Sequence, residues 1–565
     1  MRCGWLLVWV CLCLASGGAQ TILKASPLLD DDAATYRAVF KVELERRGSN
    51  THGTLVLHDP VRGALGYSLD LAANARKQLY VSVSPRDLDA SRRYNRAQLE
   101  WRGADGEHIT TPLEPPIRTH LPIVVVGDMI GGLESLNERK ATFASGVVVS
   151  GGFDVPLRVY YRRAAALPDA WQALLELPVL VLVEGAETLS ESQWRALQRW
   201  LAAGGSLVVS VGSFGAMLKA TPLAPLLPPM QIADRAAGVA ALSSEAPGWK
   251  ILMTDEAQRP ILYHKRVGSG QLYLFMGNLE QPRWRNWSEL PEIFERVVLG
   301  SAGFPSERLS GQFSDRMKWS TQQARYRGNQ WGVLTLPLYF VGAWGLTAFL
   351  RRRRRLSSVF APLTALATVG AVAAFVFAPR PSRAETVLLA QTVLNETGEA
   401  IEIGYLYTTL SAGRHTLTLG AETETLTLVA KPNAAVQMSL SNETPTLQIH
   451  CTARTHFGVC MLRPVADAPA LQTRWQGNRL QVRNLSRQQL VRVQIYSSDA
   501  NGRSSAVLSE QRVLSAGAQA VVPINPSQRQ EGVQIWGVYE RTGAPAATLN
   551  GEPVQEVNTL FLFVP

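Results

Sequence analysis

Two uncharged apolar runs, WGVLTLPLYFVGAWGLTAFL (Trp331–Leu350) and VFAPLTALATVGAVAAFVFA (Val359–Ala378), are separated by a short segment that opens with Arg351, Arg352, Arg353, Arg354 and Arg355. At ~1.5 Å per helical residue each run is long enough to cross ~30 Å of hydrocarbon. The pattern predicts a two-helix transmembrane hairpin, spans 331–350 and 359–378, with a cytoplasmic loop at 351–358. Arginines held at a bilayer surface pair with anionic lipid headgroups and fix orientation, which leaves little room for nucleic acid. Cations also flank the hairpin outside the loop (Arg316, Lys318, Arg325, Arg327, Arg380 and Arg383), so charge counting alone does not orient it.

The N-terminus supplies the orientation. MRCGWLLVWVCLCLASGGAQ carries Arg2, an apolar core from Trp5 to Leu14 and small residues Gly17 and Ala19, the layout of a secretory signal peptide at 1–19. Export places 20–330 outside, and an even number of spans returns 384–565 to the same side. Arginine far outnumbers lysine and alanine is abundant, a composition associated with GC-rich bacteria. The expected location is the bacterial inner (plasma) membrane, with most of the chain periplasmic. Of five cysteines, only Cys451 and Cys460 lie beyond the leader. Their spacing in IHCTARTHFGVCML suits a disulfide across a hairpin in an oxidising compartment, the alternative being two buried thiols. His450 and His456 lie close by but fit no common zinc spacing, so no metal and no cofactor is expected.

A chain of 565 residues exceeds one core and divides into several domains. Residues 20–118 alternate with period two, as in YRAVFKVELERRG, between Gly- and Asp-bearing turns. That grammar predicts an immunoglobulin-like beta domain. Within 119–305 the strand-like runs PIVVVGD, PVLVLVEG, SLVVSVGS and GQLYLFMGN are wholly apolar, as a sheet covered on both faces requires. Between them SESQ offers a capping box for a helix whose Trp194, Leu197, Trp200 and Leu201 share one face before Gly204 and Gly205. Residues 306–330 form a linker. Alternation returns over 384–565, in HTLTLGAETETLTLV and LVRVQIYSSD, and predicts one or two beta-sandwiches.

VLVLVEGAETLSESQWRALQRWLAAGGSLVVSVGS followed by GSGQLYLFMGNLEQPRWRNW resembles the class I glutamine amidotransferase-like domain of uncharacterised bacterial envelope membrane proteins. Those proteins join a beta domain, this alpha/beta (flavodoxin-like) domain and membrane helices in the same order. The family's true amidotransferases use a Cys nucleophile, and this chain has no Cys from Gln20 to His450. The resemblance therefore implies fold without activity.

In open alpha/beta sheets ligands bind beyond the carboxyl ends of the strands. The polar residues there are Asp128, Glu184, Ser213 and Asn278, a possible crevice for a small polar ligand, although such residues more often cap helices or solvate loops. Ser213 in VGSFG lacks the glycine spacing of a hydrolase elbow, and its only candidate base is His264. Trp284 and Trp287 invite a sugar-stacking role but more often belong to a core. The net charge of +10 is spread along the chain apart from the arginine run. The expectation is a non-enzymatic inner-membrane scaffold or accessory subunit, partnered by lipids and by a membrane or periplasmic protein, with no nucleic acid. The alternatives are a small-ligand or glycan-binding protein and a diverged hydrolase.

Overall fold

The computed structural model describes residues 20–300 and 387–563, apart from the segments 30–37, 60–62, 84–96, 114–119, 143–153, 213–217, 235–238, 243–248, 269, 395–399, 421–422, 431–433, 440–444, 453–454, 466–467, 499–503, 526–532, 540–546 and 555. Near the N-terminus, strands Gln20–Pro27, Ala38–Arg47 and Arg76–Val83 form a three-stranded antiparallel sheet. Alternation puts Phe40, Val42 and Leu44 inward. They pack on Leu55 and Leu57 of Thr51–Asp59, Leu69 and Leu71 of Gly63–Leu71, and Leu99 and Trp101 of Gln98–Gly103.

That second sheet does not end there. Gly63–Leu71 pairs in parallel with Ala434–Ser439, Leu65 opposite Val436, and the sheet continues through Thr446–Cys451, Gly413–Leu419, Ala547–Leu549 and Glu552–Pro553. With His108–Pro112 at the other edge it has nine strands drawn from both ends of the chain. Beyond the junction its inner face (Leu417, Leu447, Ile449 and Cys451) packs on Leu406, Phe457, Val459 and Met461 of an eight-stranded sheet. The eight-stranded sheet in turn reaches a third core, where Val493, Ile495 and Ile535 meet Leu480, Val482 and Val522 of a three-stranded sheet. Each long sheet thus backs two cores, so the beta part is a stepped stack.

Arg46 locks the first step. It is 1% exposed, and its Nη1 donates to Thr21 Oγ1 (2.9 Å) and Glu107 Oε2 (2.9 Å). Its Nη2 donates to Asp105 Oδ2 (2.7 Å) and its Nε to the Ser49 carbonyl (2.9 Å). A buried guanidinium is tolerable because the Thr21 hydroxyl, the Ser49 carbonyl and the Asp105 and Glu107 carboxylates accept its hydrogen bonds.

The middle region holds five mutually parallel strands in the spatial order Asp154–Arg162, Leu121–Val126, Val179–Leu182, Ser206–Ser210, Gly270–Phe275. Antiparallel strands widen this sheet at both edges, Lys140–Thr142 on one side and Pro260–Val267 with Lys250–Thr254 on the other. The helix Glu191–Ala203 begins with the capping box: Ser190 Oγ accepts from the Gln193 amide and Gln193 Oε1 from the Ser190 amide. Its end requires a bare backbone, since a Cβ on Gly205 would lie 2.1 Å from the Trp200 ring.

Several expectations are corrected. Strands dominate the described residues, and the helices there are few and short: Trp171–Leu174, Glu191–Ala203, Pro282–Arg285 and Leu290–Gly300, with 3-10 turns between. The middle region is therefore a mixed sheet with sparse helical cover inside a mostly beta protein, not the expected amidotransferase-like alpha/beta domain. No described helix is long and apolar enough to cross a membrane, which removes the structural support for the transmembrane hairpin and the inner-membrane location. The runs that suggested them, 331–350 and 359–378, lie outside the described residues, as do the leader 1–19 and Arg351 to Arg355. The disulfide is also overturned, because Cys451 and Cys460 are buried free thiols. The reason is topological. Cys451 lies in the nine-stranded sheet opposite Gly413, whereas Cys460 lies in the eight-stranded sheet opposite Tyr405. The expected hairpin between them does not exist, and alternation turns Cys460 away from the Val459 and Met461 face that meets Cys451's core.

Two outcomes follow from this packing. Peptides bearing Cys451 and Cys460 are alkylated in full in denatured, unreduced protein, as mass spectrometry reads. Arg46→Ala destabilises the protein by about 3 kcal/mol in chemical denaturation, because Asp105 and Glu107 lose the buried cation they share.

Candidate functional site

The carboxyl ends of the parallel strands carry the cluster of interest. Leu121–Val126 is flanked by Asp154–Arg162 on one side and Val179–Leu182 on the other, so the strand order reverses at it, the place where parallel sheets leave room for a ligand beyond their carboxyl ends. Asp128 follows this strand and Glu184 follows Val179–Leu182. The Asp128 amide donates to the Glu184 carbonyl at 2.8 Å. Gly185, at φ 92°, allows the approach: a Cβ there would lie 2.6 Å from Asp128 Cγ.

The last parallel strand contributes the third side. Asn278 is 9% exposed, and its Oδ1 accepts from the Glu280 amide at 2.9 Å, forming the turn that delivers Glu280 to the crevice. Burial is the main cause raising the Glu280 carboxyl to about 7; Glu184 and Asp128 add to the rise and Arg285 opposes it. Arg285, from the helix Pro282–Arg285, reaches across to the loop after Leu121–Val126, where a Cβ on Gly132 would lie 2.3 Å from Arg285 Cδ. On the far side Tyr161 accepts from the Leu133 amide (2.7 Å), and burial pushes its hydroxyl up to about 12.

Of the residues singled out from sequence, Asp128 and Glu184 adjoin through that backbone bond, Asn278 lies beside Gly212 after the last parallel strand, and Ser213 lies outside the described residues. The segment leading to Ser213 is firmly held: Ser210 Oγ donates to the Gly277 carbonyl and accepts from the Leu279 amide, both at 3.0 Å. Glu187 serves its own loop, with Oε2 accepting from the Gly185 amide. Glu280, Arg285 and Tyr161 were missed. Glu280 was within reach of the strand-end rule, two positions past Asn278. Trp284 is buried edge-on against Phe275 and Trp287, a core arrangement that leaves its face no room for a sugar.

His264 sits in the antiparallel strand Pro260–Val267, opposite Tyr273, and its Nε2 donates to Gln271 Oε1 near the amino end of Gly270–Phe275. The crevice is at the other end of that strand, so this imidazole is no partner for a nucleophile there. Burial holds it down to about 4; the Gln271 bond opposes the drop, and Lys250 and Arg266 reinforce it. Among the described residues no group of histidines, cysteines and carboxylates is placed to hold a metal ion.

No family model matches the chain, and no curated protein does. Solved structures matched in part include the Fcho1 Mu homology domain of Danio rerio with bound Eps15 peptide (11% identity, 32% of this chain and 93% of that one, TM-score 0.20). The yeast delta-COP-I mu-homology domain is similar at 9% identity over 32% of this chain and 95% of its own, TM-score 0.19. The exo-beta-1,4-mannosidase Op5Man5 of Opitutaceae bacterium strain TAV5 shares 19% identity over 25% and 27%, TM-score 0.18. Scores this low carry no argument about fold or function.

His264 sets a pH signature. The unfolded imidazole takes a proton near 6.5 and the folded one only near 4, so its contribution to stability is complete above 6.5 and is lost as pH falls toward 4. In denaturation series, the stability difference between the wild type and His264→Gln narrows as pH falls through that window.

Proposed function

We propose that the protein is a non-enzymatic scaffold that holds a protein partner on its beta frame. The observation that carries this reading is the parallel pairing of Gly63–Leu71 with Ala434–Ser439. It merges the two ends of the described chain into one nine-stranded sheet backing two cores, and the mixed middle sheet is carried between those ends. Such a frame has extended faces and fixed geometry, which suit holding a partner better than opening and closing on a substrate. The placement of His264, away from the strand ends, also favours a non-catalytic role.

Cations near the first sheets are engaged by carboxylates. Glu100 receives Arg102 Nε (2.7 Å), His58 Nε2 (2.7 Å) and His108 Nε2 (2.6 Å), and the Arg102 guanidinium, with burial opposing, holds its carboxyl well below the usual range. Arg76 pairs with Glu43 and Arg47 with Glu45. Cations already paired in this way favour a protein partner over a phosphate backbone. A second reading, binding of a small polar ligand, draws on the adjacency of the Asp128 and Glu184 loops at the carboxyl ends of the parallel strands.

Purification of the intact protein from its native source under mild conditions, with cross-linking and mass spectrometry, tests the proposal. The expected result is one stoichiometric protein partner cross-linked to the beta frame. A lone, monodisperse chain overturns it and moves the weight to the polar crevice.

A further inference from the structure

We propose that the outer face of the nine-stranded sheet, near its His108–Pro112 edge, is a proton-gated docking surface for an acidic segment of a partner protein. It is closed to that segment while His52, His58 and His108 are neutral and opens when they take up protons. The inference rests on the scaffold reading and adds the partner's chemistry. Alternation sends Leu55, Leu57, Leu99 and Trp101 into the first core, so His52 and His58 of Thr51–Asp59, and Glu100 and Arg102 of Gln98–Gly103, lie on the opposite face. His108 stands opposite Arg102 and Asp70 opposite His52, which puts three of the chain's eight histidines on this one face. His52 Nδ1 bonds Asp70 Oδ1 at 2.7 Å, and His58 and His108 both reach Glu100 with Nε2.

An ionised carboxylate only accepts hydrogen bonds, so each imidazole turns an N–H toward it. In a neutral ring the other nitrogen is then a bare acceptor: Nε2 of His52, and Nδ1 of His58 and of His108. Among the described residues nothing donates to these three atoms. A further proton on each ring turns that atom into a donor while the first N–H keeps its carboxylate. The face changes from offering three acceptors to offering three donors. Its charge changes too: Asp70, Glu100 and Arg102 together give −1, and three imidazolium rings bring the face to +2. Glu100 stays ionised throughout, because the Arg102 guanidinium holds its carboxyl well below the usual range. No other charged group described on the adjoining strands joins the balance. Asp105 and Glu107 are engaged by Arg46, Asp59 is buried, and Ala434–Ser439, beyond Gly63–Leu71, has no ionisable side chain. From His52 to His58 the strand runs about 20 Å, the length of an extended segment of about six residues. An acidic segment brings acceptors and negative charge together, which a neutral or basic one does not.

Calorimetric titration of the full-length protein with a hexa-aspartate peptide, at constant ionic strength, tests the surface. Binding is expected to be about tenfold tighter at about pH 5.5 than at about pH 7.5. Replacing all three rings, by His52→Gln, His58→Gln and His108→Gln together, removes that difference. His108→Arg, whose charge is permanent, binds the peptide more tightly than the wild type at about pH 7.5. Equal wild-type binding at both values, or a pH dependence that survives in the triple variant, overturns the proposal. If the triple variant fails to fold, His108→Arg decides, and binding no tighter than the wild type's at about pH 7.5 overturns it. A peptide that binds at neither value also overturns it, and leaves the scaffold reading itself to the cross-linking experiment.

Discussion

The parallel pairing of Gly63–Leu71 with Ala434–Ser439 is the contact on which the rest of the beta architecture depends. On one side of it the nine-stranded sheet closes a core with the first three-stranded sheet, and on the other it closes a second core with the eight-stranded sheet. Remove it, and each half of the long sheet gains a bare edge with Leu65 and Tyr67 half-buried against nothing from the C-terminal part. At the junction Leu65, Tyr67, Leu69 and Leu71 on one strand sit at alternate positions and pack on the cores, as Val436 does on the other, so a slip of one register position would turn them outward. Register and burial enforce each other.

Polar groups near the cores are handled by local neutralisation. Arg46 draws two carboxylates and a carbonyl around itself, and Glu100 draws one arginine and two histidines. Glu402 and Arg463 pair at 2.8 Å where the second and third cores approach along the eight-stranded sheet. The formal charge of +10 is thus a poor guide to the surface that the described residues present. The crevice differs in kind. There burial, Glu184 and Asp128 raise the Glu280 carboxyl, and Arg285 opposes them.

The sequence was legible where periodicity and local chemistry decide the outcome. Period-two alternation located Ala38–Arg47 and Gly413–Leu419, uninterrupted apolar runs located Leu121–Val126 and Ser206–Ser210, and SESQ marked the start of Glu191–Ala203. Alternation, however, states only which face of a strand is buried, not which strand lies beside it. The nine-stranded sheet and the separation of Cys451 from Cys460 into different sheets were therefore invisible, and a hairpin was inferred where none exists. Asp128, Glu184 and Asn278 were read from strand ends alone, and the first two adjoin through the backbone of their loops. Glu280 and Arg285 were missed because their roles depend on a turn set by Asn278 and on a glycine, Gly132, that makes room for a guanidinium from another loop.

The sheet that draws on both ends of the chain also fixes an order of events during synthesis. Leu65 leaves the ribosome long before Val436 exists, and at roughly 5–20 residues per second the interval is on the order of tens of seconds. Throughout that time the Gly63–Leu71 edge has no native neighbour, while its apolar face is already in place to close the first core. Contacts of such high sequence separation form slowly, and an open strand edge is a template for pairing with another nascent chain. The same junction that makes the finished frame rigid makes its assembly dependent on something shielding that edge until the C-terminal strands arrive.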